Sequence, residues 1–248
     1  MLEIENLEKR FNGTPVLRGV NLKVEEGETV TVIGGSGSGK SVLLKTIIGL
    51  MTTDRGSVKV RGRELHNLGW KESVAERKKY SMLFQGGALF DSLTVFENIA
   101  FPARLHTDWK EEKIRREVAE RLQMIGLSGI EDKKPAELSG GMKKRVSLAR
   151  SIILSPEMLL YDEPTTGLDP IMADVINELI LKLQRQLNAT SIVVTHDMPS
   201  AYKVSDRIVM LYQGEIIEDT TPEKIENTGS PIVKQFITGS AYGPIKVG

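Results

Sequence analysis

Eight residues, Gly34-Gly35-Ser36-Gly37-Ser38-Gly39-Lys40-Ser41, fit G-x-x-x-x-G-K-[ST] at every fixed position and follow the apolar run Glu28 to Ile33. That pattern describes a phosphate-binding loop between a strand and a helix. Glycines let successive backbone N–H groups turn inward around an anion, because side chains would block close approach and disfavour positive φ. Lys40 supplies a point charge for the β- and γ-phosphates, and the Ser41 hydroxyl is placed to ligate Mg²⁺. Lys40 also opens a helical run, expected over Ser41 to Leu50, whose N-terminal dipole favours the same anion. A Gly/Ser-rich turn beside an ordinary lysine is the bland alternative, and it leaves the strand before and the helix after unexplained.

The rest of the chain alternates between strand and helix signals. Leu2/Ile4, then Val20/Leu22/Val24, then Thr29 to Ile33 read as strands, divided by Asn12-Gly13 and Glu26-Gly27 turns. Ser57 to Val60 is a short strand, Glu64 to Lys79 a polar surface stretch, and Tyr80 to Phe84 a further strand. From 88 to 155 helical periodicity takes over. Ile114, Val118, Leu122 and Ile125 make one stripe, and Met142, Val146, Ala149 and Ile153 a second behind Ser139 as N-cap. The unbroken apolar runs Met158 to Tyr161 and Ser191 to Thr195 are expected as buried parallel strands flanking a helix over 173 to 187. A meander, Arg207 to Ile217, turns at Gln213-Gly214, and the tail from Ser230 to Gly248 is broken by Pro231 and Pro244. The expected architecture is a doubly wound α/β sheet with an inserted helical subdomain, its ligand at the C-terminal strand ends.

Composition excludes several functions. Lys+Arg and Asp+Glu each count 33, so nothing in the bulk charge favours nucleic acid. With no cysteine, disulfides and thiol catalysis are ruled out and a cytosolic location is permitted. The acidic, alternating start, Met1 to Glu5, does not read as a signal peptide, and no run approaches the roughly 18 apolar residues of a membrane span. Contact with a membrane is therefore expected only through a partner.

Polar residues cluster where the strands end. Asp162 closes an apolar strand, where a carboxylate can hold Mg²⁺ directly or through water. Glu163 follows it, and on an extended chain the two side chains would diverge, leaving Glu163 as general base or water-positioning group. Asp-Glu-Pro could also be a plain turn. Gln85, before Gly86-Gly87, can touch Mg²⁺ or water, or cap a turn. His196 can meet a γ-phosphate or be structural, and His66 and His106 in polar loops are expected to be structural. Leu138-Ser139-Gly140-Gly141-Met142 is a second anion site at a helix start, or an N-cap with a turn.

Taken together these residues resemble the ATP-binding-cassette (ABC) family over nearly the whole chain. The ordered set is Phe11, the loop 34–41, Gln85, the signature Leu138 to Met142, Asp162-Glu163, Gly167-Leu168-Asp169 and His196. The resemblance implies a P-loop NTPase cassette with a mixed-sheet core (1–85 and 156–229), an N-terminal antiparallel β portion, a helical subdomain (86–155) and a C-terminal tail (230–248). It implies ATP and Mg²⁺ as ligands, with Phe11 stacking on adenine, a reading that the isolated aromatic does not supply. It also implies a homodimer in which Ser139, Gly140 and Gly141 meet the γ-phosphate held by the other copy, with Asp169 at the same interface. Local patterns, Phe84 to Phe90, Asn98 to Pro102, Met142 and Gln235 to Pro244, are similar to the Mla/Mce-type phospholipid transport ATPases. That likeness implies a permease, an Mce-domain protein and a small STAS-domain protein as partners, at the cytoplasmic face of the inner membrane. Met142 departs from the usual Gln, and Gly35 stands where Pro is common. A transporter of another cargo, a soluble cassette ATPase and a P-loop kinase stay open as alternatives.

Overall fold

The computed structural model describes residues 1–64 and 67–246, so His66 and the last two residues of the tail lie outside the described residues. The chain packs as two compact units, residues 1–73 with 190–248, and residues 74–189.

In the first unit β1 (Leu2–Phe11) and β2 (Thr14–Val24) form an antiparallel hairpin. Its turn residues Asn12 and Gly13 both have positive φ, as a two-residue turn matched to the strand twist requires. β3 (Thr29–Ile33), buried at every position, leads to α1 (Lys40–Ile47). This helix stops short of the expected Leu50, because the chain turns off at Gly49 with φ 75°. β4 (Arg55–Val60) pairs with β1 on the side away from β2, and β5 (Arg63–Glu64) extends that sheet.

α2 (Trp70–Arg77) lies in the stretch read as polar surface. Its buried positions, Ser73 and Glu76, are themselves polar, so no apolar stripe announces it. Within the second unit, β6 (Tyr80–Leu83) pairs in parallel with β7 (Met158–Asp162), in register Leu83↔Tyr161. Between them come α3 (Val95–His106), α4 (Glu111–Met124) and α5 (Gly140–Ser151), packed on one another. The stripe Ile114, Val118, Leu122 and Ile125 is wholly buried, worth roughly 1.5–3 kcal/mol per side chain. α3 starts at Val95 behind a Thr94–Glu97 capping box, so residues 86–94 form a loop. α5 ends at Ser151, leaving Ile153 beyond it but still buried. α6 (Pro170–Leu187) begins three residues before the expected 173, because Asp169 caps it and Pro170 occupies its first turn.

The chain then returns to the first unit with β8 (Thr190–Thr195), α7 (Met198–Val204), β9 (Arg207–Tyr212) and β10 (Glu215–Thr220). β8 and β9 flank β3 in parallel, and β10 turns back antiparallel at Gln213-Gly214, giving the mixed order β10-β9-β3-β8. After α8 (Pro222–Ile225), the tail holds a helix that the breakers had hidden, α9 (Pro231–Thr238), with Val233 in a core of Ile33, Met198, Met210 and Ile225. Among the described residues no helix is long and apolar enough to cross a membrane.

Candidate active site

The first unit carries the phosphate loop. Gly34 has φ 154°, and a Cβ there would lie 2.3 Å from the Leu211 carbonyl oxygen, so only glycine fits. Gly39 at φ 105° opens α1, where a Cβ would crowd Leu17 and the Val16 carbonyl at 3.0–3.1 Å. Lys40 is 7% exposed and its Nζ donates to the Gly34 and Gly35 carbonyls at 2.7 and 3.0 Å, curling the loop round the ammonium. Ser38 Oγ is buried within the loop without a hydrogen-bond partner in the protein. An inward cation, an orphaned hydroxyl and a backbone cradle at a helix start fit a polyphosphate.

Strand register places His196 near this loop. β3 pairs with β8 in register Ile33↔Thr195, so the loop and His196 leave the same end of adjacent strands, His196 being exposed. Asp197, unassigned from sequence, caps α7 by accepting from Ser200 N at 3.1 Å, which fixes the chain just after His196. Phe11 ends β1 with its ring 42% exposed and Lys9 Nζ 5.7 Å from its centroid, leaving ring surface available for stacking.

The second unit carries the acidic residues. Asp162 and Glu163, 5% and 8% exposed, end the buried strand β7. Glu163 departs from the expected extended conformation: its φ is +50°, so strand alternation ends at Asp162 and cannot set the Glu163 side chain's direction. That direction is instead held by Thr166, whose hydroxyl donates to Glu163 Oε2 at 3.0 Å. Gln85 leaves β6 at the edge where Asp162 leaves β7, and its side chain is exposed. Ser139 caps α5, its Oγ accepting from Met142 N at 3.2 Å, and Asp169 caps α6, accepting from Ile171 N and Met172 N at 3.0 Å each. The N-cap reading of Ser139 is the one observed, and Ser139 and Gly140 are exposed at the helix start.

Three residues to which the sequence reading assigns no structural role hold this second half. Lys144, 7% exposed, donates through Nζ to the Gln85 carbonyl and, at 3.3 Å, to the Glu163 carbonyl. Burial pulls its ammonium below the ordinary lysine range, with the carboxylates of Glu163 and Asp162 opposing. Arg150 donates to the Gly87 and Ala88 carbonyls at 2.8 Å each. Asn98, fully buried, accepts from Phe90 N at 2.8 Å and donates to the Phe90, Leu93 and Thr94 carbonyls. Lys144 and Arg150 stand outside every motif and bond main chain far along the sequence, whereas Asn98 bonds main chain only four to eight residues before it. Among the described residues no three His, Asp or Glu side chains form a metal cage. Mg²⁺ held through one or two protein oxygens and substrate phosphates needs none.

The profile of the ABC transporter family matches residues 17–166. The chain is 40% identical to the probable ribonucleotide transport ATP-binding protein mkl of Mycobacterium leprae, over 98% of this chain and 70% of that protein. It is 38% identical to the intermembrane phospholipid transport system ATP-binding protein MlaF of Haemophilus influenzae, over 99% of this chain and 93% of that protein. Among solved structures, the ATP-binding cassette MJ0796, dimeric in a post-hydrolysis state with ADP and Pi, superposes with a TM-score of 0.82 at 32% identity. That match spans 90% of this chain and 99% of that one.

Proposed function

This chain belongs to the ABC transporter family as an ATP-hydrolysing subunit, and on that premise we propose that the permease it drives carries phospholipid between bacterial membranes. The observation that carries the cargo is the match to MlaF, which runs through 93% of that protein. The mkl relative, whose name gives ribonucleotide, is matched through 70% of its length.

In this reading the loop amides of residues 34–39 and Lys40 bind the phosphates, and Phe11 stacks on the base. Ser41, Gln85 and Asp162 offer the hard oxygen donors that suit Mg²⁺, which when bound neutralises charge on the phosphate oxygens. Glu163 accepts the proton of the attacking water and His196 contacts the γ-phosphate. Two copies form the working dimer, with Ser139, Gly140, Gly141 and Asp169 turned to the nucleotide of the other copy. The core, helical and tail divisions at 1–85 with 156–229, 86–155 and 230–248 describe the working parts. The complex sits at the cytoplasmic face of the inner membrane, held there by the permease and completed by an Mce-domain and a small STAS-domain protein.

The permease contact falls in the second unit. A groove of about 280 Å³ is lined by Val74, Arg77, Pro102, His106, Arg150 and Leu154 among others. Arg150 also lies 5.9 Å from the ring of Phe90, which is 44% exposed and packs on Phe101 with centroids 5.0 Å apart. An exposed aromatic pair beside a cationic groove suits an amphipathic cytoplasmic helix. Two measurements test the proposal. Phe90→Asp is expected to lose co-purification with the permease while still binding ATP, and retained association refutes the docking site. The transporter reconstituted in vesicles is expected to move a fluorescent phospholipid only with ATP; movement of labelled ribonucleotide instead refutes the cargo.

A further inference from the structure

Lys144 is buried one turn into the helix that begins at the signature serine, a costly place for an ammonium group. A methionine of similar volume would fill the space without desolvating a charge. What the lysine adds is a donor that reaches two carbonyls distant in sequence, those of Gln85 and Glu163. Both carbonyls belong to chain that has just left a strand, β6 at Gln85 and β7 at Glu163, where regular pairing no longer fixes the backbone. Glu163 in particular sits at φ +50°, a conformation that persists in a non-glycine residue only when its surroundings over-determine it.

The same face of α5 also packs closely on the loop after Gln85 and bonds it once more. Ser147, one turn on, lies so close that a Cβ on Gly87 would sit 2.6 Å from its Oγ, and Arg150, a turn further, grips the Gly87 and Ala88 carbonyls. Residues 144, 147 and 150 are spaced by three, which puts them on one side of the helix. The loop from Gln85 to Ala88 is therefore fastened along α5 rather than free to swing. Of these three side chains, Lys144 is the one that also bonds the Glu163 segment.

We infer that Lys144 is a positioning residue for hydrolysis, locking the main chain at Gln85 and at Glu163 to the helix that carries Ser139. The three elements then move as one body, and the Glu163 carboxylate keeps its aim when the loop is loaded. The inference rests on the assignment of Glu163 as the base.

Steady-state phosphate release by the full-length protein, with binding of a fluorescent ATP analogue, tests it on Lys144→Met and Lys144→Arg. Misplacing a base by a fraction of an ångström to an ångström costs up to ~100-fold, so Lys144→Met is expected to lose roughly 10- to 100-fold in kcat. Its KM is expected to stay within about twofold and analogue binding to persist, and Lys144→Arg, which keeps the charge and the donors, to recover kcat to within about threefold. A Lys144→Met enzyme at the parent rate overturns the inference. So does a Lys144→Arg enzyme as slow as the methionine variant, and so does loss of analogue binding in both variants, which assigns the lysine to folding. Glu163→Gln at the full parent rate is a different failure, that of the base assignment itself.

Discussion

Glu163 combines a left-handed backbone, which costs a non-glycine residue on the order of 1–3 kcal/mol, with a buried carboxylate aimed by the Thr166 hydroxyl at 3.0 Å. Such a group makes two graded predictions. Removing the proton acceptor with Glu163→Gln is expected to lower kcat by roughly 10²- to 10⁴-fold, the usual range for general-base catalysis, while ATP binding is kept. Thr166→Ala removes only the hydrogen bond that orients Oε2. A hydrogen bond to a charged group is worth about 1.5 kcal/mol at the lower end, so a loss of about tenfold is expected. Phosphate release measured on both variants ranks them. A Thr166→Ala effect as large as that of Glu163→Gln contradicts a purely orienting hydroxyl. Sequence gave the carboxylate its place at the strand end, because an apolar run closing in Asp-Glu is visible as letters. It could not give the φ of Glu163, which depends on Lys144 and Thr166 meeting it in space.

At the scale of elements, the loop from Phe90 to Thr94 is organised by one side chain. Asn98 makes one acceptor and three donor contacts to its main chain and has no solvent exposure. Asn98→Ala leaves the Phe90 and Thr94 carbonyls their bonds from Leu93 N and Asn98 N but takes the side-chain partner from Phe90 N and the Leu93 carbonyl; at about 1–3 kcal/mol each, a loss of about 3 kcal/mol and a fall in Tm of about 6–12 °C are expected in calorimetry. Because the same contacts set Phe90, permease co-purification is expected to weaken with it; an unchanged Tm contradicts the clamp. Elements were legible where burial and periodicity agree. The hairpin β1–β2 shows alternation and an Asn-Gly turn, and β7 and β8 show unbroken apolar runs. α2 was not legible because its buried face is Ser73 and Glu76, the latter accepting from the Tyr80 hydroxyl at 3.2 Å. α9 was hidden by Ser230-Pro231, which reads as a breaker but here is an N-cap followed by the first helical residue. Ser240 and Ile245 in the tail are fastened by Gln235, which accepts from Ile245 N at 2.7 Å and donates to the Ser240 and Ile245 carbonyls, a link no periodicity reveals.

For the whole molecule the decisive question is what nucleotide does to the association of two copies. With 33 cationic and 33 anionic side chains, the chain has no net charge to hold copies apart, and it brings Ser139 and Gly140 to the surface at a capped helix start. If those groups bind a γ-phosphate seated in the other copy, ATP has a higher affinity for the dimer than for the monomer. By linkage it must then shift the population toward the dimer by that same factor, and hydrolysis must release it. Moving an equilibrium from about 1:99 to 99:1 takes a ~10⁴-fold preference, so slow hydrolysis is needed to see the closed form accumulate. The Glu163→Gln protein with magnesium and ATP is therefore expected to run at twice 27.5 kDa in light scattering, and at 27.5 kDa with ADP or after chelation of magnesium. Adding Ser139→Arg to that variant places a bulky side chain at the helix start without touching the phosphate loop, so the analogue should still bind while the dimer is lost. A double variant that dimerises as well as its parent removes the signature helix from the interface. One that loses nucleotide binding as well places Ser139 in the site of its own copy, and either result breaks the dimer mechanism at a different joint.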